Sequence, residues 1–375
     1  MKKSYFVLGR RTVFGRAFKG IYKDTRPDDL VMQLLRSYQG SALWSSGPED
    51  LILGCAYPEG EQGYNLARTV ALGAGLAVPG CTVNRLCASS LEAVAIAASR
   101  VVSGWNDCLL IGGIESMSRI PRRGANFSES ENIIKTDPDA YIPNGQTAEK
   151  VAAKYPHLSR EKQEDFAARS HELADAAFDQ GKYDHQIRLP IGARDEFIRV
   201  PVNREKMASL TPAFDEQGIV TAATSSPLTD GATAGWVVSD TVISNSSFDC
   251  GLEICDVATA HVAPEIMGLG PVPATKKILA RNNLEPDDLV TVEINEAFAI
   301  QVLASLEELN IPLERVNTWG GALALGHPLG ASGLRLVMTL HDRMAEINED
   351  GALGLVTLCV GGGQGMSILF RFNRF

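Results

Sequence analysis

Three residues of this chain combine a reactive side chain with a backbone setting that exposes it. Cys87 lies in Val83-Asn-Arg-Leu-Cys-Ala-Ser-Ser-Leu, directly ahead of an alanine-rich run. A thiol at a helix N-terminus faces unpaired amides and the positive end of the helix dipole, which favour a thiolate and a developing oxyanion. A buried, inert cysteine is the other reading of this position, and position alone does not separate the two. His327 sits in Gly320-Gly-Ala-Leu-Ala-Leu-Gly-His-Pro-Leu-Gly-Ala-Ser-Gly. The glycines permit close backbone approach and the proline presets a helix entry, so the imidazole is presented rather than tucked away. Cys359 closes an apolar run and is followed by three glycines, a place where amides can point at a ligand without side-chain interference.

Taken together, two thiols and an imidazole suggest acyl transfer through one cysteine, with the second thiol moving a proton. A metal site from the same three residues is the rival. Zinc sites draw on closely spaced ligand pairs, and no such pair is present.

The elements that must position these residues are those of an α/β chain. Its 375 residues, 45% hydrophobic and 21% charged, suit two domains or one large unit with an insertion and exclude dominant disorder. The net charge of -10, with no basic run longer than Pro121-Arg-Arg, argues against nucleic acid as a partner. Seven cysteines, at 55, 81, 87, 108, 250, 255 and 359, form no CxxC pair and read as reduced thiols of a cytoplasmic protein. The N-terminal apolar run is too short for a signal peptide, and no window suits a membrane span.

Phe6–Gly9 and Leu51–Ala56 read as buried strands, and 27–37 as a helix. The alanine-rich stretch 91–102 should be a helix buried all round. Residues 107–111 form a strand ending at Gly112-Gly113. The polar, proline-containing stretch from Ser118 reads as an inserted loop region. Helices follow, one starting at Thr147 and one running from Ser159 to about Phe178. Strand character returns near 231–239. Cys87, its helix, the 107–111 strand and Gly112-Gly113 have a counterpart in Gly326–Gly333, a helix over about 334–344, the strand at 354–359 and Gly361-Gly-Gly. A duplicated α/β unit explains both.

The segments Asn84-Arg-Leu-Cys-Ala-Ser-Ser-Leu, Asn295-Glu-Ala-Phe, Gly320–Gly333 and Cys359-Val-Gly-Gly-Gly-Gln-Gly resemble the four signature motifs of the thiolases. Further similarity at 11–30, Gly112-Gly-Ile-Glu-Ser-Met-Ser, Thr147-Ala-Glu, Thr229-Asp-Gly-Ala and Met267-Gly-Leu-Gly-Pro extends it over the whole chain in order. The resemblance implies a five-layered α/β/α/β/α fold. Residues 1–117 with about 226–248 would form the N-terminal half, 118–225 an inserted loop domain, and 249–375 the C-terminal half. It also implies cleavage of a 3-ketoacyl-CoA with CoA to acetyl-CoA and a shortened acyl-CoA.

On that resemblance Cys87 is the acylated nucleophile, His327 its base, and Cys359 the acid that protonates the enolate. The amides of Cys87 and Gly361 hold the tetrahedral oxyanion, while His327 and a water on Asn295 hold the enolate oxygen. Arg199 would lie by the CoA nucleotide and Ser226 along the pantetheine, with Met267 and Phe298 lining the tunnel. Asn144 stands where relatives commonly have methionine, which bears on acyl preference. Thr224 replaces a common asparagine, and the 118–144 insertion is short for the loop that clamps some relatives into tetramers. CoA is expected as substrate, with no resident cofactor and no metal. A homodimer or homotetramer, with a hydratase–dehydrogenase subunit as a further partner, completes the expectation. An acetoacetyl-CoA thiolase of the biosynthetic branch is the alternative, and a non-catalytic acyl-CoA-binding protein of the same fold the remote one.

Overall fold

The central strands are buried on both faces, so that successive side chains feed different apolar layers. In the computed structural model, which describes residues 2–190 and 192–375, the strands are β1 (Ser4–Thr12), β2 (Gly15–Arg16), β3 (Asp50–Cys55), β4 (Gly80–Val83), β5 (Cys108–Ser116), β6 (Ile187–Leu189), β7 (Thr229–Ser239), β8 (Cys250–His261), β9 (Leu289–Ile294), β10 (Leu353–Val360) and β11 (Gln364–Arg374). Met1 and Ile191, the first residue of the expected N-terminal half and one residue of the expected insertion, lie outside the described residues.

The strand order β4-β3-β5-β7-β1 is continued by β8-β11-β10-β9. The two runs share one plan. A bridge from Val292 of β9 to Val316 supplies the counterpart of β4, so the second run, read from that edge, is Val316-β9-β10-β11-β8. Each half pairs its outer strands in parallel and adds its last two, toward the centre of the sheet, antiparallel. The halves meet through Tyr5↔Glu253 and Phe6↔Leu252 between β1 and β8. Leu51 and Leu53 face an outer core with Leu30, Leu34 and Leu66, while Ile52, between them, faces a central core with Leu91, Leu334 and Val356. Val292 and Leu355 face a third core with Ala299, Val302 and Leu306. Helices Pro27–Arg36 and Leu66–Ala74, one half-sheet, helices Ser89–Val102 and Leu329–Ile347, the other half-sheet, and helices Pro271–Asn282 and Ala299–Leu309 make the five layers.

Several expected boundaries move. β5 does not stop at Gly112-Gly113 but runs to Ser116, because both glycines pair in register with Ala234 and Thr233 of β7. Gly113 is needed there for clearance: a Cβ would stand 2.2 Å from the Gly330 carbonyl oxygen. The helix expected from about 334 starts at Leu329, with Gly330 and Gly333 inside its first turns. A Cβ on Gly333 would meet the Leu91 nitrogen at 2.6 Å, so the two central helices approach almost backbone to backbone. The helix expected at Thr147 starts at Asn144. The Ser89–Val102 helix is not buried all round, since Glu92, Ala95 and Ile96 are half-buried and Ser99 is exposed. It packs on β3, β5 and its partner helix and leaves a fourth side open. The helix that is buried on every side, from Leu329 to Leu340, is the second one. Among the described residues no helix is long and apolar enough to cross a membrane.

Candidate active site

The duplicated plan brings two helix starts and one strand end to a single point. β4 leads into a turn at Leu86–Ala88 that delivers Cys87 to the head of the Ser89–Val102 helix. Leu86 takes a left-handed φ of 46°, a conformation costly for a leucine and held in place by its surroundings. The Leu86 N–H donates to Asn84 Oδ1 at 2.7 Å, and Asn84 Nδ2 donates to the Ala56 carbonyl at 3.0 Å. Ser89 Oγ closes the turn, accepting from the Arg85 N–H at 3.0 Å and donating to the Leu86 carbonyl at 2.6 Å. The strain thus serves to aim the thiol.

His327 precedes the second central helix and is 4% exposed. Its N–H donates to Thr229 Oγ1 at 2.9 Å, and that hydroxyl donates to the Pro227 carbonyl at 2.8 Å. The ring is fixed by Ser332, whose Oγ lies 2.6 Å from Nδ1 and donates its proton to the Pro328 carbonyl at 2.8 Å. With that proton committed, the hydroxyl must accept from Nδ1–H. Nε2 therefore carries the lone pair and accepts from Asn295 Nδ2 at 3.3 Å. Asn295 follows β9, and its Oδ1 is buried without a partner. Burial, then the Arg335 charge, pull the imidazole down to about 3. It rests neutral, with Nε2 able to take up a proton.

Cys359 lies at the end of β10, 1% exposed. Burial raises its thiol strongly, with the Cys87 thiol adding to the rise. Burial also pushes Cys87 up to about 11, and the Gly361 N–H, hydrogen-bonded toward its sulfur, opposes the rise. A Cβ on Gly361 would sit 3.0 Å from Leu86 Cδ1, so bare backbone keeps this amide next to the thiol. Gly362 has a different reason for being glycine: a Cβ there would meet nothing, but its φ is 76°.

Cys87, His327 and Cys359 line one cavity of about 90 Å3, together with Asn144, Ser226, Met267 and Phe298. On one side Ser225 and Pro227 join it to a cavity of about 530 Å3 that carries Arg16, Arg199, Asn203 and Lys206 and no carboxylate. On the other side Tyr57, Cys87, Asn144 and Leu329 join it to a third compartment of about 160 Å3, walled by Leu86, Phe127, Tyr141 and Ile142. Every site residue read from the sequence stands on this three-part channel or, for Asn295, against His327. Thr224 makes the local bonds in the absence of an amide, its hydroxyl accepting from the Thr221 N–H at 3.0 Å.

Sequence reasoning missed Glu115. This carboxylate ends β5, 1% exposed, and accepts from Gln62 Nε2 at 2.8 Å and from the N–H groups of Ala56 at 2.9 Å, Tyr57 at 3.3 Å and Gly330 at 3.0 Å. It ties the end of β3 to the helix that follows His327. Burial drives it up to about 7 against those donors. An acid at the end of a wholly apolar strand, in Gly112-Gly-Ile-Glu, was the available signal. Ser332, Thr229 and Lys206 were missed as well. Among the described residues no group of three or more His, Cys, Asp or Glu side chains is placed to hold a metal ion.

Comparison with known proteins agrees with this geometry. Residues 4–241 match the family described as thiolase, N-terminal domain, and residues 250–372 match thiolase, C-terminal domain. The chain is 38% identical to a 3-ketoacyl-CoA thiolase of Bacillus subtilis (strain 168), over 99% of this chain and 100% of the relative. It is 39% identical to proteins of the same name from Saccharophagus degradans, over 96% and 95%, and Idiomarina loihiensis, over 99% and 100%. The chain belongs to the thiolase family.

Proposed function

We propose that this enzyme, an acyltransferase, cleaves 3-ketoacyl-CoA with CoA to acetyl-CoA and a shortened acyl-CoA, as in fatty acid β-oxidation. The carrying observation is the convergence of Cys87, His327 and Cys359 on one cavity, with the Gly361 amide at the Cys87 sulfur. Cys87 gives its proton to His327 Nε2 as its sulfur attacks the 3-keto carbon. The amides of Cys87 and Gly361 hold the resulting oxyanion. Collapse breaks the bond between C2 and C3 and leaves the acyl group on Cys87. The enolate oxygen is held by protonated His327 and by a water on the unpaired Asn295 Oδ1, and Cys359 protonates C2. The His327 proton then passes to the Cys359 thiolate. Neutral His327 next deprotonates the incoming CoA thiol, which attacks the thioester, and Cys87 leaves and recovers its proton.

The basic cavity with Arg16, Arg199 and Lys206 suits the CoA nucleotide, and Ser225 and Ser226 the neutral pantetheine. CoA is then substrate and not a resident cofactor. The compartment beyond Cys87 favours tails longer than that of acetoacetyl-CoA. Residues 118–225 act as the loop domain between two halves, 1–117 with about 226–248 and 249–375. The free edge of β4, half-buried and without proline or lysine, supports a homodimer, of which a homotetramer or a complex with a hydratase–dehydrogenase subunit are extensions. Seven free cysteines support a cytoplasmic setting. Thiolysis assayed with Cys87→Ser and Cys359→Ala tests the roles. Both should lose turnover, whereas an active Cys87→Ser enzyme, or a parent that prefers the four-carbon substrate to six- and eight-carbon ones, contradicts the proposal.

A further inference from the structure

The tetrad Asn295-Glu-Ala-Phe supplies the reaction with an amide and a tunnel wall, Asn295 and Phe298, and leaves the carboxylate between them without a task. Glu296 is fully buried on the chain between β9 and the Ala299–Leu309 helix. Three donors converge on it. Asn317 Nδ2 bonds Oε1 at 2.9 Å, and Ser170 Oγ at 2.7 Å and the Leu323 N–H at 3.1 Å bond Oε2. Ser170 in turn accepts from the Gly321 N–H at 3.0 Å, which leaves its own proton for the carboxylate. A Cβ on Gly321 would collide with the Glu296 carboxyl group, so the chain passes this closely only because that residue is glycine.

These bonds join the two segments that carry the enolate site. Asn295 and His327 are 32 residues apart in the chain, and Nδ2 of one lies 3.3 Å from Nε2 of the other. Glu296 directly follows Asn295, and the peptide it holds at Leu323 belongs to the single helical turn Ala322–Leu325. That turn closes through the Gly326 N–H on the Ala322 carbonyl at 2.9 Å, immediately before His327. The imidazole has supports of its own in Thr229 and Ser332. A shift of the turn against the end of β9 therefore alters the spacing of Asn295 and His327 before it releases the base. Acyl transfer to Cys87 needs His327 and the amides of Cys87 and Gly361, whereas the enolate needs His327 and Asn295 together. We infer that Glu296 is a positioning residue that fixes this spacing, and that it serves carbon–carbon cleavage rather than acyl transfer. This rests on the thiolase reading and assigns its two kinds of step to different supports.

The test compares two reactions of one preparation. Thiolysis of a six-carbon 3-ketoacyl-CoA passes through the enolate, and exchange of labelled CoA into acetyl-CoA passes through acetyl-Cys87 alone. In the exchange Cys87 gives its proton to His327 and takes the acetyl group from the thioester, the CoA thiolate leaves with that proton, and labelled CoA reverses both transfers. Losses of folded enzyme, CoA affinity or acylation are common to the two and cancel in the ratio of their rates. Glu296→Gln turns an acceptor into an N–H facing donors. It should lower the ratio of thiolysis to exchange by about 10- to 100-fold, the scale of misplacing a reacting group by up to about 1 Å. Ser170→Ala keeps the carboxylate but removes one clamp, and should lower the ratio by a smaller factor. A ratio in Glu296→Gln equal to that of the parent overturns the inference, and should that variant not fold, an unchanged ratio in Ser170→Ala does so. CoA exchange by the parent reports on the thiolase reading alone and so separates the two failures.

Discussion

Replacing Ser332 by alanine removes the acceptor that fixes the His327 ring while leaving every group that touches substrate in place. Ser332 is 1% exposed and its Oγ lies 2.6 Å from Nδ1, so no water can take over without opening the helix start. The Nδ1–H is then buried and unpaired, a loss of about 1–3 kcal/mol. The imidazole can escape that loss by moving its proton to Nε2, but that tautomer has no lone pair facing Cys87. Either way the active form is disfavoured by about the same amount, which corresponds to a fall in kcat of roughly 5- to 150-fold. The KM for CoA should change little, because the cavity of Arg199 and Lys206 is a separate compartment. Steady-state thiolysis, with single-turnover acylation of Cys87 followed by mass, reads both quantities. Ser332→Thr keeps the hydroxyl and should keep most of the rate. A folded Ser332→Ala enzyme within twofold of the parent in kcat would refute the assignment of the tautomer and of the base.

His327 also makes stability depend on pH. Its folded value of about 3 lies below the roughly 6.5 of an exposed imidazole, so the unfolded chain binds more protons between these values. The contribution is fully present above pH 6.5 and is lost as pH falls, by about 2 kcal/mol between pH 7 and pH 5. Urea unfolding at the two pH values should show His327→Asn losing that much less than the parent, and equal losses would count against the buried neutral ring. Glu115→Gln turns one of the acceptor oxygens into a donor facing backbone N–H groups. A drop in unfolding free energy of about 1–3 kcal/mol and a slower acylation of Cys87 are expected, and an unaltered enzyme would deny Glu115 its positioning role. Arg199→Ala and Lys206→Ala should each raise the KM for CoA several-fold with kcat nearly constant, and the affinity of the parent should depend only weakly on salt because few cations are involved.

The chemistry-bearing residues were more legible than the contacts that hold them. Cys87, His327 and Cys359 announce themselves through glycine-rich, helix-opening surroundings. The duplicated layout was visible because Cys87 and His327 occupy equivalent places ahead of the two central helices. What local pattern misjudged was long-range approach. Gly112-Gly113 and Gly330 look like breakers in sequence, yet they lie within β5 and a helix because those two elements nearly touch there. Glu115 and Ser332 were unreadable for a related reason, since each matters through partners up to 215 residues away or through a ring whose orientation only the fold defines.

The identity of the acylated atom is the most direct measure of this chemistry. Brief exposure of the enzyme to acetyl-CoA, followed by peptide mass spectrometry, should find one acetyl group on Cys87 in the parent and in Cys359→Ala, and none in Cys87→Ser. Acetyl on Cys359 or on another cysteine, or no acyl-enzyme at all, would contradict it.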